Sequence, residues 1–137
     1  MVESTNEFIS IINTIRNAPM IASLDVESLF TNIPVIETIE IILDYTYNNS
    51  VLSAPLIPRK IMFELLKTCT TENPFKTGTG ETFIQVDGVS MGSPLGPLLA
   101  NFYMANLENN ILRTSNFKPL TYCRYVDDIF LVIDNVD

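Results

Sequence analysis

Histidine is absent from this sequence of 137 residues, and cysteine occurs only twice. Without histidine, the chain can build neither a histidine-based catalytic triad nor a histidine-ligated zinc site. The two cysteines, Cys69 and Cys123, are far apart in the sequence and lack the paired spacing of a metal knuckle or a redox motif. Because free cysteine is among the most buried residue types, we expect two buried, reduced thiols.

Basic residues are scarce, with 8 Lys and Arg against 16 Asp and Glu, and the net charge is −8. Affinity for nucleic acid comes mostly from Lys and Arg side chains that neutralise phosphates. The chain alone is therefore expected to bind nucleic acid weakly. A function on polynucleotides would need cations from elsewhere, either metal ions or another part of the protein.

Long apolar runs are missing as well. The longest, residues 129–133, is far shorter than the roughly 18 residues that a membrane helix needs. No basic segment followed by an apolar stretch opens the chain, so we predict an intracellular protein that is not secreted and has no membrane partner. The length and the 47% hydrophobic content fit one packed domain over residues 1–137.

Two kinds of apolar periodicity alternate along the chain and predict an α+β fold, an antiparallel sheet with helices packed on one face. Helical spacing is found at residues 5–16 and after Pro34, Pro58 and Pro97. Strand-like runs are found at residues 20–26, 120–125 and 129–133, with a hairpin at 75–86. Breaks are predicted at residues 17–19 and 48–58, and an irregular Gly- and Pro-rich loop at 88–97.

The helical spacing also predicts which side chains face the core. In the helix after Pro34 these are Val35, Ile36, Ile39, Ile42 and Leu43, and in the helix after Pro58 they are Ile61, Met62, Leu65, Leu66 and Cys69. The acids of the first of these helices, Glu37, Glu40 and Asp44, are expected on a solvated face.

Three aspartates form the pattern that carries chemistry. Asp25 ends an otherwise apolar strand, and Asp127 and Asp128 lie in a tight connection between two apolar strands. Aspartate in a turn is common, so Asp127 and Asp128 alone are weak evidence for a functional site. If the strand ends meet in one sheet, however, the carboxylates converge and repel one another unless a cation neutralises them. Because only oxygen ligands are available, Mg²⁺ or Mn²⁺ is the expected metal. Two such ions bound side by side would form a site suited to phosphoryl transfer.

Three segments resemble the motifs lettered A, B and C of reverse transcriptases, in the same order and with the same spacing. They are LDVESLFTNIP at residues 24–34, GVSMGSPLGP at 88–97 and YCRYVDDIF at 122–130. Within that family, SLFTNIP and MGSPLGP look most like Penelope-like retroelements. The resemblance implies a partial polymerase palm, a split βαβ arrangement that lacks the fingers and thumb of the parent enzyme.

The resemblance also implies a role for each matching residue. Asp25 and Asp127 would be the principal ligands of two Mg²⁺ ions, Asp128 would join them, and Val26 would offer its backbone carbonyl. Asp128 depends on the turn geometry, because successive strand residues point to opposite faces.

Substrate contacts are implied in the same way. Phe30 resembles the steric gate that excludes ribonucleotides, with an ordinary core phenylalanine as the alternative. Gly92 and Ser93 would approach the nucleotide and the template, although Met91 stands where many reverse transcriptases carry glutamine. Tyr125 resembles the residue that supports the primer end, and a half-buried strand aromatic is its alternative.

The activity implied is RNA-templated DNA synthesis, in which a primer 3′-hydroxyl attacks the α-phosphate of a dNTP. The parent enzyme would bind an RNA template, a DNA primer and dNTP, and the isolated fragment would be inactive. The main alternative is a decayed or co-opted palm fragment without catalysis, which acts as an interaction module or has no function. A nucleotide cyclase-like palm is a weaker one, because it gives no reason for the loop at residues 88–97.

Overall fold

A computed structural model describes residues 1–16, 20–49, 55–116 and 118–134. The elements, in chain order, are α1 (Thr5–Thr14), β1 (Met20–Asp25), α2 (Leu29–Asn32), α3 (Val35–Asn48), α4 (Arg59–Thr71), β2 (Pro74–Lys76), β3 (Thr82–Ile84), α5 (Gly96–Thr114), β4 (Thr121–Tyr125) and β5 (Asp128–Ile133). The predicted mixture of helices and antiparallel strands is confirmed. The predicted break at residues 17–19 and most of the tip of the 48–58 loop lie outside the described residues.

The chain divides into two compact units. The first contains Met1–Glu27 and Leu107–Asp137, and the second contains Ser28–Asn106. The residues of α5 from Leu107 onward therefore count with the first unit. No helix in the described ranges is long and apolar enough to cross a membrane.

The first unit is built on a three-stranded antiparallel sheet in the order β1-β5-β4. The central strand β5 supplies several buried apolar side chains, among them Leu131 and Val132. On one face Phe8 of α1 packs edge-to-face against Phe130, with ring centroids 5.3 Å apart. Otherwise α1 contributes little to the core, because none of its residues is buried.

The second unit contains the helices α2, α3 and α4, the β2–β3 hairpin and the first half of α5. In α3 the buried side chains include Val35, Ile39 and Leu43, as the helical spacing predicts. Ile36 was expected among them but is exposed, and Thr38 is buried instead. The Thr38 hydroxyl donates a 2.8 Å hydrogen bond to the Pro34 carbonyl, which satisfies its polar group inside the helix.

The predicted inner face of α4 is largely wrong. Ile61 and Leu65 are 53% and 49% exposed, and Thr70 is the buried residue of this helix. Cys69, one helical turn beyond Leu65, is exposed too, so only Cys123 of the two thiols is buried. The periodicity identified the apolar stripe of α4 correctly but could not identify which part of it another element covers.

The acids of α3 lie on a solvated face, as predicted, and two of them pair with an arginine. Arg59 at the start of α4 donates hydrogen bonds to Glu40 at 2.6 Å and to Asp44 at 2.8 Å. These ion pairs raise the pKa of the Arg59 guanidinium. All three side chains remain more than a third exposed, so the cluster joins α3 to α4 with little net stability.

Candidate active site

Asp25 and Asp128 lie directly opposite each other in the antiparallel pairing of β1 with β5. Directly opposed residues of an antiparallel pair have side chains on the same face of the sheet. Both aspartates are exposed, since each stands at the end of its strand. The pairing thus joins, on one surface, two carboxylates that are 103 positions apart in the sequence.

Asp127 lies in the turn that connects β4 to β5. Only Val126 and Asp127 separate Tyr125 from Asp128, which pair across the hairpin. The sequence predicts Asp128 within the connection, but the structure places it as the first residue of β5. The turn is closed against β1, because the Val26 backbone N–H donates a 3.1 Å hydrogen bond to the Asp127 carbonyl.

The turn has an uncommon backbone conformation at Val126, where φ is +56°. Two-residue hairpin turns often require a positive φ, and glycine or asparagine normally supplies it. A β-branched residue in that region is strained, and such strain persists only where the surroundings impose it. The surroundings of Val126 must therefore hold the turn in place.

Carboxylate oxygens are the donors that hard divalent cations prefer, so the chemistry of Asp25, Asp127 and Asp128 fits Mg²⁺ or Mn²⁺. Within the described ranges, however, no three Asp, Glu, Cys or His side chains are already gathered closely enough to hold an ion. The register places two carboxylates on one face and the third in the adjoining turn. The assignment of metal ligands stays a prediction.

A pocket of about 550 Å³ opens on the face of the sheet that carries Asp128. Its lining includes Asp128, Tyr125, Ser23 and Phe130 from the sheet, together with Phe8 from α1. Tyr125 is 59% exposed, so the alternative of a half-buried strand aromatic does not describe it well. An exposed aromatic beside a carboxylate can support an apolar or stacked group of a ligand.

Phe30 belongs to the second unit, in the short helix α2, and is half-buried. Its carbonyl accepts a 2.8 Å hydrogen bond from the Val89 N–H. A Cβ atom added to Gly88, whose φ is +71°, would lie only 2.5 Å from the Phe30 carbonyl oxygen. A Cβ atom on Gly96 would lie 3.4 Å from the Phe30 ring. Small residues of the 88–97 loop therefore set the position of Phe30.

Gly92 and Ser93 lie at the bend of the same loop. Gly92 has a φ of +92° and nothing within 4 Å of the place of its missing Cβ, so its backbone is accessible. Ser93 precedes α5, and its hydroxyl accepts a 3.3 Å hydrogen bond from the Leu95 N–H. That bond gives Ser93 a structural role at the start of the helix in addition to any contact with substrate.

The sequence profile of one family, reverse transcriptase (RNA-dependent DNA polymerase), matches residues 2–137. The chain belongs to the reverse transcriptase family. No curated protein sequence matches it.

Two solved structures of telomerase from Candida tropicalis share the fold of this reverse transcriptase chain. The apo telomerase truncated from the C-terminal domain has a TM-score of 0.65 and 20% sequence identity, over 98% of this chain and 30% of that one. The apo telomerase has a TM-score of 0.70 and 16% identity, over 98% of this chain and 27% of that one. The chain thus spans less than a third of the length of either structure.

One group of residues beside the turn between β4 and β5 was not predicted from the sequence. Arg124 is 1% exposed and forms an ion pair with Glu108 of α5. The Tyr122 hydroxyl donates a 2.6 Å hydrogen bond to the same carboxylate. Burial and this hydrogen bond raise the pKa of Tyr122 above its usual range. Nothing in the spacing of residues 108, 122 and 124 predicted their contact.

Proposed function

We propose that this chain is the palm of an RNA-directed DNA polymerase, which transfers a nucleotide from dNTP to a primer 3′-hydroxyl. The observation that carries the proposal is the cross-strand pairing of Asp25 with Asp128, with Asp127 in the adjoining turn. Membership of the reverse transcriptase family supplies the class of reaction.

In this proposal the three carboxylates hold two divalent ions, with the Val26 carbonyl as a further ligand. Such ions, when bound, supply Lewis acidity that stabilises charge at the reacting phosphate and on the attacking oxygen. Asp25 and Asp128 are suited to this role because they share a face, and two like charges opposed across a sheet are unfavourable without a counterion.

The remaining residues orient the substrates. Phe30 forms the wall that would clash with a ribose 2′-hydroxyl, and its carbonyl is anchored to Val89. Gly92 exposes backbone that a nucleotide or template strand can approach closely, with Ser93 beside it. Tyr125 lines the same pocket as Asp128 and supports the primer end there.

We further propose that the chain is the palm portion of a longer, Penelope-like polymerase with fingers and thumb. The segments SLFTNIP and MGSPLGP support the Penelope-like assignment. A longer parent is supported by the coverage, because the chain spans only 30% and 27% of the two solved telomerase chains. RNA template, DNA primer and dNTP would be held mainly by those other parts. With a net charge of −8, the palm alone can neutralise few phosphates.

Primer extension tests the proposal. The palm joined to fingers and thumb should incorporate dNTP on an RNA template, and Asp127→Asn should lower kcat by at least 10³-fold. Glu37→Gln, which removes one exposed negative charge from α3, is the matched control and should leave kcat unchanged. The isolated 137-residue chain should bind duplex weakly and show no extension.

Two results would contradict the proposal. Full activity of the Asp127→Asn variant would show that the Asp127 carboxylate is not needed at the site. Absence of extension by the complete polymerase, with Mg²⁺ and with Mn²⁺, would favour the decayed or co-opted palm that acts without catalysis.

A further inference from the structure

The Asp127 backbone is held on both sides by hydrogen bonds from outside the turn. On one side, the Val126 carbonyl accepts a 2.8 Å hydrogen bond from Nη1 of Arg124. On the other, the Asp127 carbonyl accepts from the Val26 N–H at 3.1 Å. These carbonyls belong to the two peptide groups that flank the Asp127 Cα. Fixing both groups fixes the direction of the Asp127 Cα–Cβ bond, and this limits the positions that the carboxylate can take.

Arg124 is itself immobilised. Its Nε and Nη2 groups donate to the two oxygens of Glu108, a two-point contact that restricts the guanidinium plane. Glu108 is in turn fixed on α5 and accepts the Tyr122 hydroxyl. The donor Nη1 therefore points at the Val126 carbonyl from a rigid base.

Stability alone does not explain a buried arginine here. A buried ion pair is often no more stabilising than apolar side chains of similar volume, because both charges lose their hydration. What arginine adds is a further donor beyond the two that Glu108 uses, and that donor reaches the strained turn at Val126, where φ is +56°.

We propose that Arg124, held by Glu108, is a positioning residue that orients Asp127 through the Val126 carbonyl. Arg124 contacts neither substrate nor metal in this role. The proposal rests on the proposed function for its catalytic consequence, but its structural part concerns only the turn.

The decisive variant removes the arginine without leaving a buried charge. Arg124→Met alone would leave the Glu108 carboxylate without its arginine partner in a largely buried position, which strongly destabilises the fold. The double variant Arg124→Met with Glu108→Gln leaves no charge in that position and keeps an acceptor for the Tyr122 hydroxyl. The matched control is Arg59→Met with Glu40→Gln, the same exchange at an exposed ion pair of the second unit.

Amide hydrogen exchange on the 137-residue chain gives a readout that does not depend on activity. The Val26 N–H bonds to Asp127 beside the turn, and the Leu120 N–H bonds to Val132 at the far end of the hairpin. In the double variant we expect Val26 to exchange at least tenfold faster and Leu120 to be unchanged. In the control variant both amides should exchange as in the parent.

Primer extension by the complete polymerase gives the second readout. A displaced Asp127 impairs the chemical step more than nucleotide binding, so kcat should fall at least tenfold while the KM for dNTP changes less than about twofold. Arg124→Lys should show the same fall in kcat with little change in KM. A single ammonium group cannot donate hydrogen bonds to Glu108 and to the Val126 carbonyl in the geometry of the guanidinium group.

The outcomes separate this inference from the proposed function. Parental Val26 exchange and parental kcat in a folded double variant would overturn the positioning role. Equal acceleration at Val26 and Leu120 would overturn it too, by showing general loosening of the hairpin. Failure of the proposed function would instead appear as an active Asp127→Asn variant or an inactive complete polymerase, and would leave the exchange result standing.

Discussion

Asp25 faces Asp128 directly across the β1–β5 pairing, at the ends of two strands that are otherwise mostly apolar. Opposed like charges destabilise a sheet, and other cross-strand residues could have occupied these positions at no such cost. The arrangement makes physical sense where a cation is to be bound. It also gives the pair an effect on stability that can be measured separately from catalysis.

Replacing one member of this pair should stabilise the protein when no divalent ion is present. Asp128→Asn removes the repulsion with Asp25, so we expect the free energy of unfolding to rise by about 0.2–1 kcal/mol in EDTA. Added Mn²⁺ should raise the Tm of the parent chain and should not raise that of the variant, because binding to the native state stabilises it.

Thermal unfolding of the 137-residue chain measures both effects, and Glu37→Gln serves as the control for loss of one negative charge. A variant that is less stable than the parent in EDTA, or that keeps the parental response to Mn²⁺, would contradict the role of Asp128 at the ion site.

Phe30 should determine the choice of sugar. Phe30→Val removes the wall that would clash with a 2′-hydroxyl, so the ratio of kcat/KM for dNTP to that for rNTP should fall by at least tenfold. The measurement is single-nucleotide incorporation by the complete polymerase. Phe102→Val, which shortens another aromatic of the same unit, should leave the ratio unchanged. An unchanged ratio in Phe30→Val would show that Phe30 is an ordinary packing residue and does not select the sugar.

Gly88 should be far less tolerant of substitution than other glycines with positive φ. A methyl group at Gly88 would meet backbone atoms of Phe30 and Thr31 at 2.5 Å, whereas Gly80, with a φ of +85°, has open space around it. Gly80→Ala should cost about 1–2 kcal/mol for the backbone conformation alone. Gly88→Ala should cost clearly more, since backbone must move as well.

Urea unfolding of the two variants compares these costs. Equal losses would show that the contact between Gly88 and the segment carrying Phe30 does not constrain the loop.

The two thiols should differ in reactivity. Cys69 is exposed, whereas Cys123 is buried, and burial raises the pKa of the Cys123 thiol. A raised pKa lowers the fraction of reactive thiolate at pH 8. Alkylation by iodoacetamide should therefore be at least tenfold slower at Cys123 than at Cys69. The alkylation rate of Cys123 should continue to rise with pH above the usual pKa of a cysteine thiol.

Mass spectrometry of the Cys69→Ala and Cys123→Ala variants assigns each rate. Unfolding in urea should remove most of the difference, which separates burial from intrinsic reactivity. Rapid alkylation of Cys123 in the folded chain would show that the sheet face beside α1 opens readily.

The kinds of element and the order of the motifs could be predicted from the sequence because they depend on local patterns. Short apolar runs predicted β1 and β5, and the helical spacing predicted most of the buried stripe of α3. The position of Asp25 at a strand end and the two-aspartate motif after Tyr125 were equally visible. These signals involve neighbours a few positions apart, so the order of residues along the chain carries them without any knowledge of long-range contacts.

Only the tertiary structure decided which distant residues meet. The register that opposes Asp25 to Asp128 is set by pairing along whole strands, and a shift of one residue would place the side chains on opposite faces. The contact of Arg124 with Glu108 joins a strand to a helix and has no fixed spacing. The exposure of Ile61 on α4 depends on what packs against that helix. A sequence pattern gives each element an apolar face, but long-range packing determines which faces are covered and which charges are brought together.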